Sequence, residues 1–249
     1  MKAHTANTHI YDCTIFSHKN YEPTNTRPIT IGIDEVGRGS LFGQMTVAAV
    51  ILSDELTGEF GQIDLTNTPL TAINDSKQLS EKKRDKLFEP IKTTCQSYTI
   101  IDIPAFVIDK IDIYQATLLG MRLAIEQLLT VNELYPHDDI RILIDGNATP
   151  TLSPDFADFQ HTINTLIKGD TKHSSIACAS ILAKVHRDTA MCEFAKRYPQ
   201  YHLDKHKGYA SKAHTTAIYK HGILPEHRKS FNPMRTILQN QLFNHPSDF

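Results

Sequence analysis

Apolar and polar residues alternate in "ITIGIDEV" (29–36), with Ile29, Ile31 and Ile33 set against Thr30, Gly32 and Asp34. A period of two predicts a strand. The pattern breaks over Gly37–Gly43 and resumes in "MTVAAVIL", so residues 29–53 read as two strands joined by a glycine turn. Residues 54–73 are irregular and polar and read as a surface excursion. "LSEKKRDKLFEPIK" predicts a short amphipathic helix with Ser80 as its N-cap and Pro90 near its end. A strand is expected at "YTIIDIP" (98–104), then a long helix over 107–130 with Ile111, Leu118, Leu119, Ile125 and Leu129 among its core positions. "DIRILIDGN" (139–147) predicts an apolar strand ending in an acid and a Gly-Asn turn, and "FQHTINTLIKGD" a further strand ending in Gly-Asp. "SSIACASILAKVHRDTAMCEFAKRY" reads as a helix whose Ala177, Ala179, Ser180 and Ala183 permit close packing, and another helix is expected near Lys212–Lys220. Early hairpins and later strand–helix alternation define the class as α/β with a mixed sheet.

The chain has 249 residues, 40% apolar and 22% charged, ordinary values for a soluble domain with one sizeable core. No apolar run approaches the roughly 18 residues of a membrane span, and the polar N-terminus has no apolar segment of a secretory signal. Cys13, Cys95, Cys178 and Cys192 are widely spaced and form no CxxC pair, which argues against a zinc ribbon or disulfide scaffold and for reduced thiols in a cytoplasmic protein. The net charge of −2 conceals an asymmetry: Lys196–Arg235 holds nine Lys or Arg against two acids, Asp204 and Glu226. A basic segment on an otherwise acidic chain suggests a face that meets polyanions, most simply nucleic acid; a solvated basic face is the alternative.

The glycine turn, "TIGIDEVGRGSLFG", has the spacing of a phosphate-binding loop from Gly32 to Gly37, yet it carries Arg38 in place of Lys and two adjacent carboxylates. Bare anions there would repel phosphate. Asp34–Glu35, Asp145 and Asp170 share one design, an acid at a strand end beside glycine. Strand ends at one edge of an α/β sheet converge, and clustered carboxylates repel unless a cation neutralises them. Oxygen ligands suit Mg2+ or Mn2+, and two such ions can clamp both oxygens of a phosphodiester in displacement. Each acid alone is an ordinary loop residue; their shared pattern and the basic segment favour the site. Asp188 competes as a candidate, but Arg187–Asp188 on a helix reads as a structural pair. "HRD" (186–188) lacks the downstream Asn of a kinase loop, and neither HExxH nor GxSxG occurs.

"IGIDEVGRGSLFG", "NDSKQLSEKKRDKLF", "DIYQATLLGMRLA", "ILIDGN", "KGDTKHSSIACASILAKVHRD" and "HKGYASKAH…HGILPEHRKSF" resemble, in order, the successive motifs of bacterial ribonuclease HII, a type 2 ribonuclease H. The resemblance runs from about Pro28 to Pro233. It implies a polar N-terminal arm (1–27), a catalytic domain (28–233) whose basic helical part covers about 196–233, and a C-terminal tail (234–249). The implied fold is a ribonuclease H-like mixed sheet flanked by helices, with a C-terminal helical extension. The implied activity is cleavage of RNA in RNA–DNA hybrids and incision 5′ of single ribonucleotides in duplex DNA, by two metal ions, leaving 5′-phosphate and 3′-hydroxyl ends.

Carried over residue by residue, the resemblance makes Asp34, Glu35, Asp145 and Asp170 the catalytic metal ligands, with Asp34 bridging. Gly37, Arg38 and Gly39 would sense the ribose 2′-hydroxyl together with Tyr209, while Asp75, Ser76, Lys77 and Gln115 would hold the phosphate backbone. Ser40 and Gln44 stand where the family commonly has proline and are expected to soften the turn. Asp112 stands where Asn is usual, which puts a backbone contact there in doubt, and Ala210 replaces a glycine after the tyrosine. Past the match, "QNQLF" (Gln239–Phe243) fits the Gln-x-x-Leu-Phe pattern of peptides that dock on bacterial sliding clamps. A monomer is expected. Two other function classes remain open: a non-catalytic hybrid binder, and a metal-free ribonuclease that uses histidines and leaves a cyclic phosphate.

Overall fold

Ile29–Val36 (β2) and Met45–Ile51 (β3) pair antiparallel across the glycine turn, Asp34 opposite Ala48. The computed structural model describes residues 12–21, 28–73 and 79–243; Asp75, Ser76 and Lys77 lie outside them. Six strands form one mixed sheet in the order β1-β4-β3-β2-β5-β6, where β1 is Thr14–Lys19, β4 Ser97–Ile103, β5 Ile140–Asp145 and β6 Ile163–Leu166. β5 runs parallel to β2 and to β6, while β3 runs antiparallel to β2 and β4. The C-terminal ends of β2, β4, β5 and β6 therefore lie along one edge.

β2 and β3 are buried on both faces because helices cover both. Alternate residues Ile31, Ile33, Met45, Val47 and Ile51 pack under Ile113–Val131 (α3), and the intervening Ala48 and Val50 pack under Glu81–Thr94 (α1) and Ser174–Arg197 (α4). α4 crosses β2 at Gly32, where an added Cβ would lie 2.3 Å from the Ser175 carbonyl carbon. Only glycine permits that approach.

Three expectations are corrected. The N-terminal arm contributes a strand, β1, whose Ile15 and Phe16 pack on opposite faces of the sheet. The helix expected over 107–130 is two helices, Ala105–Ile111 (α2) and α3, broken at Asp112. Asp112 has φ +68° and accepts hydrogen bonds from the Tyr114 and Gln115 amides at 2.7 and 2.9 Å, so its carboxylate caps α3. Residues 54–73 are irregular but not superficial: Leu56, Leu65, Leu70 and Ile73 are buried, and Ser174 Oγ donates to Leu56 O at 2.7 Å. Ser80 caps α1 and Pro90 lies inside it near its end, both as expected.

The basic segment folds as Leu203–His206 (α5), Lys212–His221 (α6) and the start of Met234–Phe243 (α7) around a third core. Leu41 and Phe42, from the glycine turn, belong to that core. The turn is thus the joint between the sheet and the C-terminal helices.

Replacing Gly32 by Ala forces α4 away from β2. The expected cost is about 2–3 kcal/mol in urea unfolding, with partial loss of activity; an unchanged midpoint would show that the crossing relaxes freely.

Candidate active site

Ile33 pairs with Ile144 in the parallel β2–β5 register, so Asp34 and Asp145 follow at adjacent strand ends. Asp34 is 7% exposed; its Oδ1 accepts the Glu35 amide at 2.8 Å, and Ser180 on α4 also hydrogen-bonds to it. Burial pushes Asp34 well above the usual carboxylate range, against the Ser180 hydrogen bond, and the charges of Glu35 and Asp145 push it further. Glu35 is also raised by burial, opposed by Arg38 and reinforced by Asp145. Arg38 Nη1 lies 3.4 Å from Glu35 Oε1 at an exposed position, a weak pair.

Asp145 Oδ1 accepts the Gly169 amide at 2.6 Å, which draws the turn carrying Asp170 against the end of β5. Glu35 and Asp170 line a cleft of about 220 Å³ with Arg84, Ser180 and Lys184. All four sequence-identified carboxylates therefore gather at one sheet edge beside Arg38, Arg84 and Lys184. Among the described residues, no three His, Cys, Asp or Glu side chains stand close enough together to hold a metal ion as they are. The donor set is nonetheless all oxygen, half-buried and mutually repelling, which suits a hard divalent cation.

Gly37 has φ +90°, and an added Cβ would lie 2.2 Å from Arg187 Nε. Tyr209 is brought beside the turn by a bridge to Ser40 and by the Leu41 amide, which donates to Gly208 O at 2.8 Å. Gln115 is not in the carboxylate cleft; it lines a separate groove of about 390 Å³ with Arg122 and Thr151.

The expected Arg187–Asp188 pair is replaced by two other arrangements. Asp188 accepts Lys184 at 2.8 Å, whereas Arg187 is fully buried and donates to Gln44 O, Lys207 O and Ser40 Oγ at 2.9, 2.9 and 2.7 Å. Ser40 therefore stiffens the turn where softening was expected. Arg228, also fully buried, donates to Gly43 O at 3.1 Å and Arg38 O at 2.8 Å. Burial, and then the neighbouring Arg187 charge, lower Arg228 to about 9. Sequence reasoning gave neither arginine this role, although Ala183, Arg187 and Met191 at intervals of four place a charge on an apolar stripe.

The C-terminal helices are held by a histidine relay. The Leu224 amide donates to His227 Nδ1 at 2.8 Å, so His227 carries its proton on Nε2 and gives it to His214 Nε2 at 3.3 Å. His214 then donates from Nδ1 to Tyr209 O at 3.1 Å. Burial lowers both to about 4, opposed at His214 by the Tyr209 carbonyl.

Solved structures of ribonucleases H share this architecture. Ribonuclease H2 from Pyrococcus horikoshii OT3 superposes with TM-score 0.61 at 20% identity, over 85% of this chain and 97% of that one. The RNase HII of the PCNA:RNase HII complex from Archaeoglobus fulgidus gives TM-score 0.55 at 22% identity, over 82% and 95%. Both share the ribonuclease H-like fold. The family model described as Ribonuclease HII matches residues 31–234. Ribonuclease HII of Psychrobacter sp. (strain PRwf-1) is 42% identical over 92% of this chain and 85% of its own, and that of Endomicrobium trichonymphae is 42% identical over 92% and 98%. The chain belongs to the ribonuclease HII family, whose members cleave RNA in RNA–DNA hybrids, and it is a ribonuclease H.

Buried neutral histidines make stability depend on pH with a defined sign. Above about pH 6.5 His214 and His227 are neutral whether folded or unfolded. From about 6.5 down to about 4 the unfolded chain binds protons that the folded chain does not. Stability therefore falls with pH, by up to about 1.4 kcal/mol per unit for each histidine. Urea midpoints across this range should drop in the wild type and drop less steeply in His227→Gln.

Proposed function

We propose that the chain hydrolyses the RNA strand of RNA–DNA hybrids and also incises duplex DNA on the 5′ side of a single embedded ribonucleotide, leaving 5′-phosphate and 3′-hydroxyl ends. The observation that carries the reading is the gathering of Asp34, Glu35, Asp145 and Asp170 at one sheet edge. These four would hold Mg2+ or Mn2+. Held there, such ions would supply Lewis acidity toward an attacking water and the departing 3′ oxygen.

The chain's own groups do the rest. Arg84 and Lys184 line the cleft and draw phosphate toward the acids. The backbone of Gly37–Arg38–Gly39 is narrow enough to approach a ribose and sense its 2′-hydroxyl, the group that separates RNA from DNA. Tyr209, beside that turn, presents its ring to the neighbouring sugar. Asp75, Ser76 and Lys77 contact the backbone in this reading. Gln115, in its separate groove, meets a more distant phosphate. Asp112 serves as a helix cap, so no phosphate contact is assigned to it.

A sliding clamp is the proposed protein partner, docking at Gln239–Phe243. Gln239 and Asn240 stand exposed near the end of α7, so the segment belongs to a helix at its start and not to a free tail. Clamp capture should be lost when residues 239–249 are deleted; equal capture with and without them removes the proposal.

The main test uses a DNA duplex with one ribonucleotide, with Mg2+, with Mn2+ and with chelator, and maps both ends of the cut. The expected result is a metal-dependent nick 5′ of the ribonucleotide, reduced in Asp34→Asn by at least about two orders of magnitude. Binding without cleavage under either metal would make the chain a reader of hybrids. Cleavage in chelator with a cyclic phosphate would place the chemistry elsewhere.

A further inference from the structure

Two buried guanidinium groups stand directly behind the glycine turn, and neither reaches the carboxylate cleft. Arg187 and Arg228 are both 0% exposed. Between them they bind the carbonyls of Arg38, Phe42, Gly43 and Gln44 and the hydroxyl of Ser40. Ser40 Oγ in turn donates to Phe42 O at 2.9 Å, closing the turn on itself.

Arg187 also reaches the other half of the surface. Its Nη1 donates to Lys207 O at 2.9 Å, two residues before Tyr209, and its guanidinium carbon lies 5.3 Å from the centre of the Tyr209 ring. The Gly37 backbone rests against the same guanidinium, which is why a Cβ there would collide with Nε. One side chain therefore touches the turn and the tyrosine segment together.

This arrangement is costly to a fold that needs only stability. Two like charges are buried side by side with no carboxylate hydrogen-bonded to either among the described residues, and Arg228 Nη2 is buried without a hydrogen-bond partner there. Such local violations are found where geometry serves a site.

We infer that Arg187 and Arg228 are positioning residues that lock the glycine turn and Tyr209 into one preformed surface, so that ribose discrimination depends on two side chains that never touch the substrate. The inference rests on the reading of Gly37–Gly39 and Tyr209 as the ribose-sensing element. A guanidinium offers several donors in a fixed plane, whereas an ammonium offers one point of attachment, so lysine keeps the charge and loses the geometry.

The test compares wild type, R228K, R187K, S40A and G37A on duplexes carrying one ribonucleotide or none at the same place. Binding of both duplexes, kcat and KM on the first, and thermal midpoints are measured. R228K and R187K should lose roughly tenfold in ribo-over-deoxyribo preference, the size of a lost charged hydrogen bond. KM should rise more than kcat falls, and the metal requirement should persist. S40A, which removes one acceptor and no charge, should move the same way by a smaller factor and covers the case in which an arginine variant does not fold. Loss of preference in G37A with full preference in R228K, R187K or S40A overturns the inference and leaves the ribose-sensing turn standing. Full preference in G37A as well overturns the reading of the turn itself. Equal falls in activity on every substrate, tracking the thermal midpoint, would assign the arginines to stability alone.

Discussion

Everything at the active edge depends on how closely α4 lies on β2. At Gly32 the helix backbone sits where any side chain would stand, so the two elements touch backbone to backbone. That contact sets the height of α4 over the sheet. Ser180 then reaches Asp34, Lys184 lines the cleft, and Arg187 arrives behind the glycine turn, one helical face serving three tasks. The same contact starts the helix where the Gly169 amide can hold Asp145, and Ser174 can clamp the 54–73 segment.

Electrostatics explains why the edge takes this form. Carboxylates at adjacent strand ends repel, and burial raises Asp34 further, so an acid edge of this kind favours bound cations. Arg84 and Lys184 supply positive charge while other partners hold them: Arg84 donates to Leu79 O and Lys184 pairs with Asp188. The cleft thus combines an all-oxygen donor set with charge that suits a polyanion.

The C-terminal helices are joined to the sheet through the turn between β2 and β3. Leu41 and Phe42 enter the third core, His227 bridges to Phe42, and Asp109 on α2 accepts the Lys229 and Ser230 amides at 2.9 Å. Moving the helical part would drag the turn with it. This couples the basic surface to the acidic edge without requiring the basic residues to stand near the acids.

The sequence by itself determined the central strands, α1, α4, α6 and the convergence of the acidic strand ends, because period and turn chemistry are local properties that neighbouring residues carry. Motif order also reached the family, since six ordered segments span most of the chain. Tertiary structure alone decided the rest. β1 is a polar edge strand whose few apolar residues acquire meaning only against β4. The helix break at Asp112 depends on a left-handed backbone that a helical period does not encode. The 54–73 segment buries Leu65 and Leu70 without any regular spacing, so only the surface it covers makes it core. Arg187 reads as half of a helical pair with Asp188, and Arg228 as one charge of the basic segment, until the carbonyls they bind, 143 and 190 residues away in sequence, are brought beside them. Burial of a charge is fixed by partners distant in the chain, and sequence periodicity records which face is buried, not what waits there.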